Sequence, residues 1–205
     1  MKIKSFLLFT FFPISFCFAQ WNPNTSLNLE VSGLPVSDME TLTTSDGKTW
    51  LAFYHENTGN YDMRVQLLDI NGNKLLGPDG MLVDNQPSGS ATFVYNICTD
   101  ASDNLIVAYQ DQRNGSMQCV AYKISTTGTQ MWGAHGVVLG DGLAPYPKVL
   151  SNGETVIAWS DGNTSTLSLQ KISTSGSTVW ATPKSIKIGT SNTTRGQLVS
   201  NLNGA

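Results

Sequence analysis

The 205-residue sequence predicts an all-β fold built from repeated four-stranded antiparallel sheets, and three observations carry that reading. First, the chain matches itself: "TWLAFYHENTGNYDMRVQLLDINGNKLLGPDG", "LIVAYQDQRNGSMQCVAYKISTTGTQMWGAHG" and "TVIAWSDGNTSTLSLQKISTSGSTVW" share one plan. An Ala precedes an aromatic (Ala52-Phe53, Ala108-Tyr109, Ala158-Trp159), and a turn Gly follows 20, 20 and 18 residues after that Ala (Gly72, Gly128, Gly176). Second, "LIVAY" and "VIAW" are apolar at neighbouring positions, so both faces of those strands are buried; a sheet with one wet face would alternate. Third, Gly, Asn and Ser interrupt every window in which a helical period could build.

The elements follow in order. Lys2, Lys4 and the apolar run "FLLFTFFPISFCF" have the layout of an export leader over 1–19, with small residues at Cys17 and Ala19 suited to cleavage before Gln20. The run is shorter than the roughly 20 apolar residues of a membrane span. Cys17 follows Phe16, where a lipidated cysteine normally follows a small residue. Residues 20–38 form an N-terminal segment, in which 27–31 are read as a strand that completes the last sheet. The first unit, about 39–90, divides into strands near 40–44, 49–54 and 61–70, and a short fourth near 74–76 or 81–83. A second unit covers about 91–143 and a third about 144–190. Asp46-Gly47, Asn71-Gly72 and Asn152-Gly153 mark hairpin turns, since these residues tolerate positive φ. "QLVSNLNGA", within 191–205, matches the start of a unit and so reads as a truncated fourth; the sequence is expected to be a fragment of a longer protein.

Four-stranded sheets buried on both faces fit a radial stack, so the expected architecture is a partial β-propeller of about three four-stranded blades plus a truncated fourth. Units of about 50 residues are short for a chain of β-sandwiches, each of which takes about 100. The recurring mid-strand Ala suits a tight position where a larger side chain would meet the next blade. Cys98 and Cys119 fall on strands separated by a third, about 9–10 Å apart at normal strand spacing, which favours two free thiols over a disulfide.

"AYQDQRNG", "AWSDG" and "GTQMWGAHGVV" together resemble the repeats of secreted Bacteroidetes β-propeller-like proteins, which often end in a type IX secretion sorting domain. The resemblance covers 21–205 in pieces and its motifs are structural. The first unit departs from it: "AFYHENTGN" has no Asp-x-Arg, and Leu76 stands where Trp132 and Trp180 do. The resemblance implies export to the cell surface or medium and carries over no activity.

Composition narrows the function. The chain's 12 basic residues fall to 10 when Lys2 and Lys4 leave with the leader, against 15 acidic ones, a net of −5. That argues against nucleic acid and anionic membrane as partners. "TSDGKTW" (44–50) resembles the Asp-box of sialidases, but no residue separates Asp46 from Gly47, and the matching stretches of the other units lose the pattern; a hairpin turn explains it, with Trp50 as a packing residue. Asp111 and Arg113 could bind a polar ligand or brace a loop against a neighbouring blade. Asp69, Asn71 and Asn73 are spaced like the start of a calcium loop, though no later acidic ligand follows, which favours a turn. His55 and His135 lie in different units and read as surface residues. Tyr54, Tyr61, Tyr95, Tyr109, Tyr122 and Tyr146 could line a sugar- or peptide-binding face, but most sit at strand positions that suit packing. No nucleophile, phosphate-loop or zinc motif is present, so no catalytic residue is assigned. The sequence therefore favours an exported, non-catalytic recognition or scaffold module for glycan, peptide or a surface protein. The alternative is part of a propeller enzyme acting on glycans, sialidase-like or another glycoside hydrolase.

Overall fold

The computed structural model describes residues 24, 26–88, 94–161, 166–187 and 198–199. The predicted leader and all but Leu198 and Val199 of the predicted fourth unit lie outside them. The described chain contains strands and no helix. Twelve strands form three antiparallel four-stranded sheets, each in simple sequential order. The first sheet holds β1 (Val36–Thr43), β2 (Thr49–Asn57), β3 (Asn60–Leu68) and β4 (Met81–Asp84). The second holds β5 (Asn96–Thr99), β6 (Leu105–Asp111), β7 (Gln118–Ile124) and β8 (Val137–Asp141). The third holds β9 (Leu143–Val149), β10 (Thr155–Asp161), β11 (Thr166–Ile172) and β12 (Lys184–Ile186).

The hairpins repeat one turn. In the first hairpin of each unit, Thr44, Asp100 or Leu150 donates its N–H four residues forward, to Lys48, Asn104 or Glu154, and its carbonyl accepts from the residue three on. Asp69, Ser125 and Ser173 do the same in the third hairpin. The residue at the fourth turn position is left-handed, with φ near 82–92° at Gly47, Gly72, Gly128, Gly153 and Gly176; Asp103 takes that place at 60°. Short polar side chains and glycines are chosen there because the conformation is costly for others.

Burial on both faces sets the tertiary arrangement. β6 is buried along its whole length, and so are the first six residues of β2 and first five of β10. One face of β2 (Trp50, Ala52, Tyr54) meets Leu105, Val107 and Tyr109 of β6 and Val120, Tyr122 and Ile124 of β7. The opposite face of the second sheet, with Ile106, Ala108, Cys119 and Ala121, meets Ile157, Trp159 and Ile172 of the third. The second sheet is thus a filling between the other two. Ala52 and Ala108 lie on corresponding faces, each toward the following sheet, and both are fully buried.

The join between units also repeats. A Cβ on Gly128 would lie 3.2 Å from Leu76, and one on Gly176 would lie 2.8 Å from the Trp132 ring. So the residue four past each turn glycine packs against the turn glycine of the next unit. Trp132 adds a hydrogen bond from Nε1–H to the Thr174 carbonyl at 3.2 Å.

Two expectations need correction. Residues 27–31 form no strand: they are turn and irregular chain, Leu27 and Leu29 are exposed, and only Val31 packs, against Leu51, Phe53 and Leu68 on the outer face of the first sheet. A strand needs a partner edge for its N–H and C=O groups, and these residues pair with none among the described strands. His55 is not a surface residue. It lies opposite Asp62 in the β2–β3 ladder, with Nδ1 3.7 Å from Asp62 Oδ2 and its side chain 14% exposed.

Cys98 and Cys119 are free thiols on β5 and β7, with β6 between them. Burial pushes the Cys98 thiol up to about 12 and Cys119 higher still, so neither is a thiolate at neutral pH.

Gly136, at φ 61°, is a tight backbone position, where a Cβ would stand 2.6 Å from the Ala121 carbonyl and 2.8 Å from the Tyr122 ring. Gly80 repeats this in the first unit, 2.6 Å from the Val65 carbonyl. Gly136→Ala is therefore expected to destabilise the protein by more than about 1 kcal/mol, measured as a lower urea midpoint with an unchanged slope.

Candidate functional site

Asp111 and Arg113 meet as the sequence suggested, and the structure adds partners that the sequence did not reveal. Arg113 Nε–H is 3.0 Å from each Asp111 carboxylate oxygen, and its Nη2 donates to Asp111 Oδ2 at 2.6 Å. The same Nη2 is 3.0 Å from Asp84 Oδ2 on the first sheet and 3.2 Å from the Tyr122 hydroxyl. Nη1 donates to the His135 carbonyl at 2.7 Å. Tyr122 in turn donates its hydroxyl to Asp84. The guanidinium is nine-tenths buried and its fork is engaged on every nitrogen.

The geometry explains the electrostatics. Burial alone would make the guanidinium easier to deprotonate, but the hydrogen bonds to Asp111 and Tyr122 outweigh it and hold the charge more firmly than usual. Burial, with Asp84 as acceptor, pushes the Tyr122 hydroxyl up to about 12. Tyr109 stacks on Tyr122, with ring centres 5.9 Å apart and planes 10° from parallel. Among the described residues its buried hydroxyl has no hydrogen-bond partner, and burial drives its pKa well above the ordinary value. An orphan hydroxyl costs roughly 1–3 kcal/mol, so the cluster tolerates a local loss. The arrangement is a clamp that ties the end of β4 to the second sheet through a charge-assisted network.

The other candidates resolve in the same way. Asp69 Oδ1 accepts the N–H groups of Asn71 and Asn73 at 2.8 Å, and Oδ2 accepts from Asn73 Nδ2 at 2.7 Å. These oxygens cap the turn. Asp100 does the same in the second unit, accepting from Ser102 and Asn104, and also pairs with Lys123 Nζ at 2.7 Å. Among the described residues no group of three or more His, Cys, Asp or Glu is placed to hold a metal ion.

"TSDGKTW" fastens two sheets. Ser45 donates from N–H and Oγ–H to the Asp103 carboxylate at 2.9 and 2.5 Å, and Trp50 Nε1–H donates to the Asp103 carbonyl at 2.9 Å. Of the tyrosines, Tyr54, Tyr95, Tyr109 and Tyr122 are buried between the first and second sheets; Tyr61 and Tyr146 are half-buried. Tyr54 meets Tyr61, Tyr95 and Tyr109 edge to face. They form a packing cluster rather than an open platform.

No protein-family model matches the chain, and no curated protein matches it.

Two outcomes follow. Arg113→Ala strands Asp84 and Asp111 in a dry site and is expected to cost roughly 3–5 kcal/mol in urea unfolding. Arg113→Lys recovers only part of this, since an ammonium lacks the planar fork. The second concerns acid. The Lys48 and Thr44 side chains hold Asp46 down to about 2, hydrogen bonds from Asn73 lower Asp69, and Lys171 and Asn152 lower Glu154. Burial would raise Asp100, but Asn104 and Lys123 outweigh it. A depressed folded pKa contributes stability that is complete above the unfolded value and lost as pH falls through the folded one. Thermal midpoints should therefore drop below about pH 4, and the drop should be shallower in Asp100→Asn.

Proposed function

We propose that the three sheets are successive blades of a β-propeller in an exported protein, and that the protein is a non-catalytic recognition or scaffold module. The repeated join supports the propeller reading: Leu76 packs on Gly128, Trp132 packs on Gly176, and Trp180 stands at the matching position of the third unit. The leader-like residues 1–19 and the resemblance to secreted Bacteroidetes repeats support export.

One observation carries the recognition reading. Leu75, Met131 and Val179 occupy the same position, three residues past each turn glycine, and are 43–45% exposed. Each donates its N–H to the third strand of its own sheet, at Leu67, Lys123 or Lys171. Isolated exposed apolar residues are ordinary on protein surfaces. An exposed apolar side chain kept in one register in three stacked sheets offers a ladder of contacts beside the turns, suited to a glycan ring face, a peptide or a surface protein. The polar groups that could do chemistry, Asp111 and Arg113 above all, are spent on holding sheets together.

The test is a glycan and peptide array probed with the protein starting at residue 20. A ligand should bind the wild type and be lost, by at least about tenfold, from a variant with Leu75, Met131 and Val179 changed to Asp that keeps its β-sheet circular dichroism. Turnover of glycoside substrates would overturn the non-catalytic reading and favour a propeller glycosidase. Retained binding by the triple variant would overturn the assignment of this surface.

A further inference from the structure

Arg64 repeats one half of the Arg113 arrangement. Gly80 and Gly136 stand at the same place in their units, each just before the first residue of the fourth strand: Met81 pairs with Val65, and Val137 pairs with Ala121. The residue before each glycine, Asp79 or His135, lends its carbonyl to an arginine. Arg113 Nη1 donates to the His135 carbonyl at 2.7 Å, and Arg64 Nη1 donates to those of Asp79 and Gly80 at 3.3 and 3.2 Å. The two side chains reach this point by different routes, Arg113 from the loop between β6 and β7, Arg64 from within β3. Arg64 pairs with Phe53, so it lies on the outer face of the first sheet, away from the second.

The other half differs. Arg113 gives its Nε–Nη2 edge to Asp111 and extends Nη2 to Asp84. On Arg64 that edge is unpaired: Nε is buried without a hydrogen-bond partner among the described residues, and Nη2 donates to none of them. The ladders give one reason. Ala52 corresponds to Ala108, so His55, three residues on, stands where Asp111 does. The acids around Arg64 are engaged elsewhere. Asp62, two residues earlier, accepts from Asn57 and Asn60 and lies beside His55. Asp79 accepts the Gly33 N–H at 2.9 Å, and Glu30 lies 4.0 Å from Lys74. Among the described residues no carboxylate forms an ion pair with Arg64.

We propose that the Nε–Nη2 edge of Arg64 binds a carboxylate supplied from outside the described residues, an aspartate or glutamate side chain of a polypeptide packed on the outer face of the first sheet. Charge complementarity is the ground. A half-buried guanidinium held by two neutral carbonyls keeps its whole charge uncompensated, and a buried donor left unpaired is costly. Two parallel N–H groups on one edge match the two oxygens of a carboxylate. Arg113 and Asp111 show that geometry within this fold, and Asp84 shows an acid arriving at such a guanidinium from a neighbouring sheet. The surroundings suit a side chain carried on a chain. Leu82, the ladder partner of Arg64, is 39% exposed, and Val36, the partner of His55, is 40% exposed. Both can take apolar neighbours of the acid, which a small free acid would not bring.

The site lies apart from Leu75, Met131 and Val179 and does not depend on ligand binding there. Arg64, Arg113 and Arg195 are the chain's arginines, so a nitrogen-labelled protein starting at residue 20 gives a small set of side-chain Nε–H resonances, and Arg64→Lys identifies one by its loss. The protein is titrated with acetyl-Leu-Asp-Leu-amide, acetyl-Leu-Asn-Leu-amide and sodium acetate. The Asp peptide should shift the Arg64 Nε–H resonance saturably and leave that of Arg113 in place; the Asn peptide should not. The backbone amide of Leu82 follows binding in the variant. Arg64→Lys, which keeps the charge and loses the fork, should weaken the Asp peptide by about tenfold while the circular dichroism stays native. Acetate should bind less well than the peptide; acetate binding as tightly would keep the carboxylate site and assign it to small acids. No saturable shift, an equal response to the Asn peptide, or unchanged affinity in Arg64→Lys would overturn the proposal. The triple variant at Leu75, Met131 and Val179 should bind the Asp peptide as the wild type does, so failure of the ladder surface and failure of this site read out separately.

Discussion

The structure depends on one constraint: the second strand of each sheet is buried on both faces. A sheet of that kind cannot finish against water on either side. It must have a neighbour on each face, so the sheets stack in series, with the second sheet between the first and third. The strand carrying this requirement also carries the alanine at its middle. Ala52 and Ala108 are both fully buried toward the following sheet. A larger residue there would have to displace a close-packed neighbour, and interiors accommodate added volume poorly.

Polar groups do a different task from the apolar ones. Apolar burial holds the sheets together but says little about how one is turned on the next. Directional contacts between sheets supply that. Trp50 and Ser45 converge on Asp103, Trp132 reaches the Thr174 carbonyl, and Arg113 links Asp84 with Asp111. A buried ion pair is a weak source of net stability, because desolvation consumes much of its attraction. Its specificity is the better reason for its presence: an arginine fork satisfied by two sheets accepts only one relative placement.

The repeat is faithful in its turns and its second strand and drifts in the contacts between sheets. The six turns of the first and third hairpins use the same backbone hydrogen bonds, whether they open on Thr44, Asp69, Asp100, Ser125, Leu150 or Ser173. Leu76 and Trp132 differ in size but press on the same turn glycine of the next unit. Arg113 clamps one join to Asp84; at the next, the ladder puts Gly140 where Asp84 stands, and the sequence has Asn163 where Arg113 stands. Repeated hairpins thus present unlike chemistry at corresponding joints.

Local chemistry was legible in the sequence. Strand positions, turn glycines, the double burial of "LIVAY" and the separation of Cys98 from Cys119 follow from neighbours a few residues apart, because hydrogen-bond ladders and φ preferences act at that range. The Asp111–Arg113 contact was legible for the same reason. Tertiary structure alone decided which remote groups joined it: Asp84 lies 27 residues before Asp111 and His135 lies 24 after it, and nothing in their local patterns marks either. It also decided that His55 turns inward to Asp62 and that 27–31 forms no strand, since both depend on what stands opposite. Sequence determined the sheets; the pairing of distant polar groups was left to their stacking, because charge and hydrogen bonding act through space and leave no period along the chain.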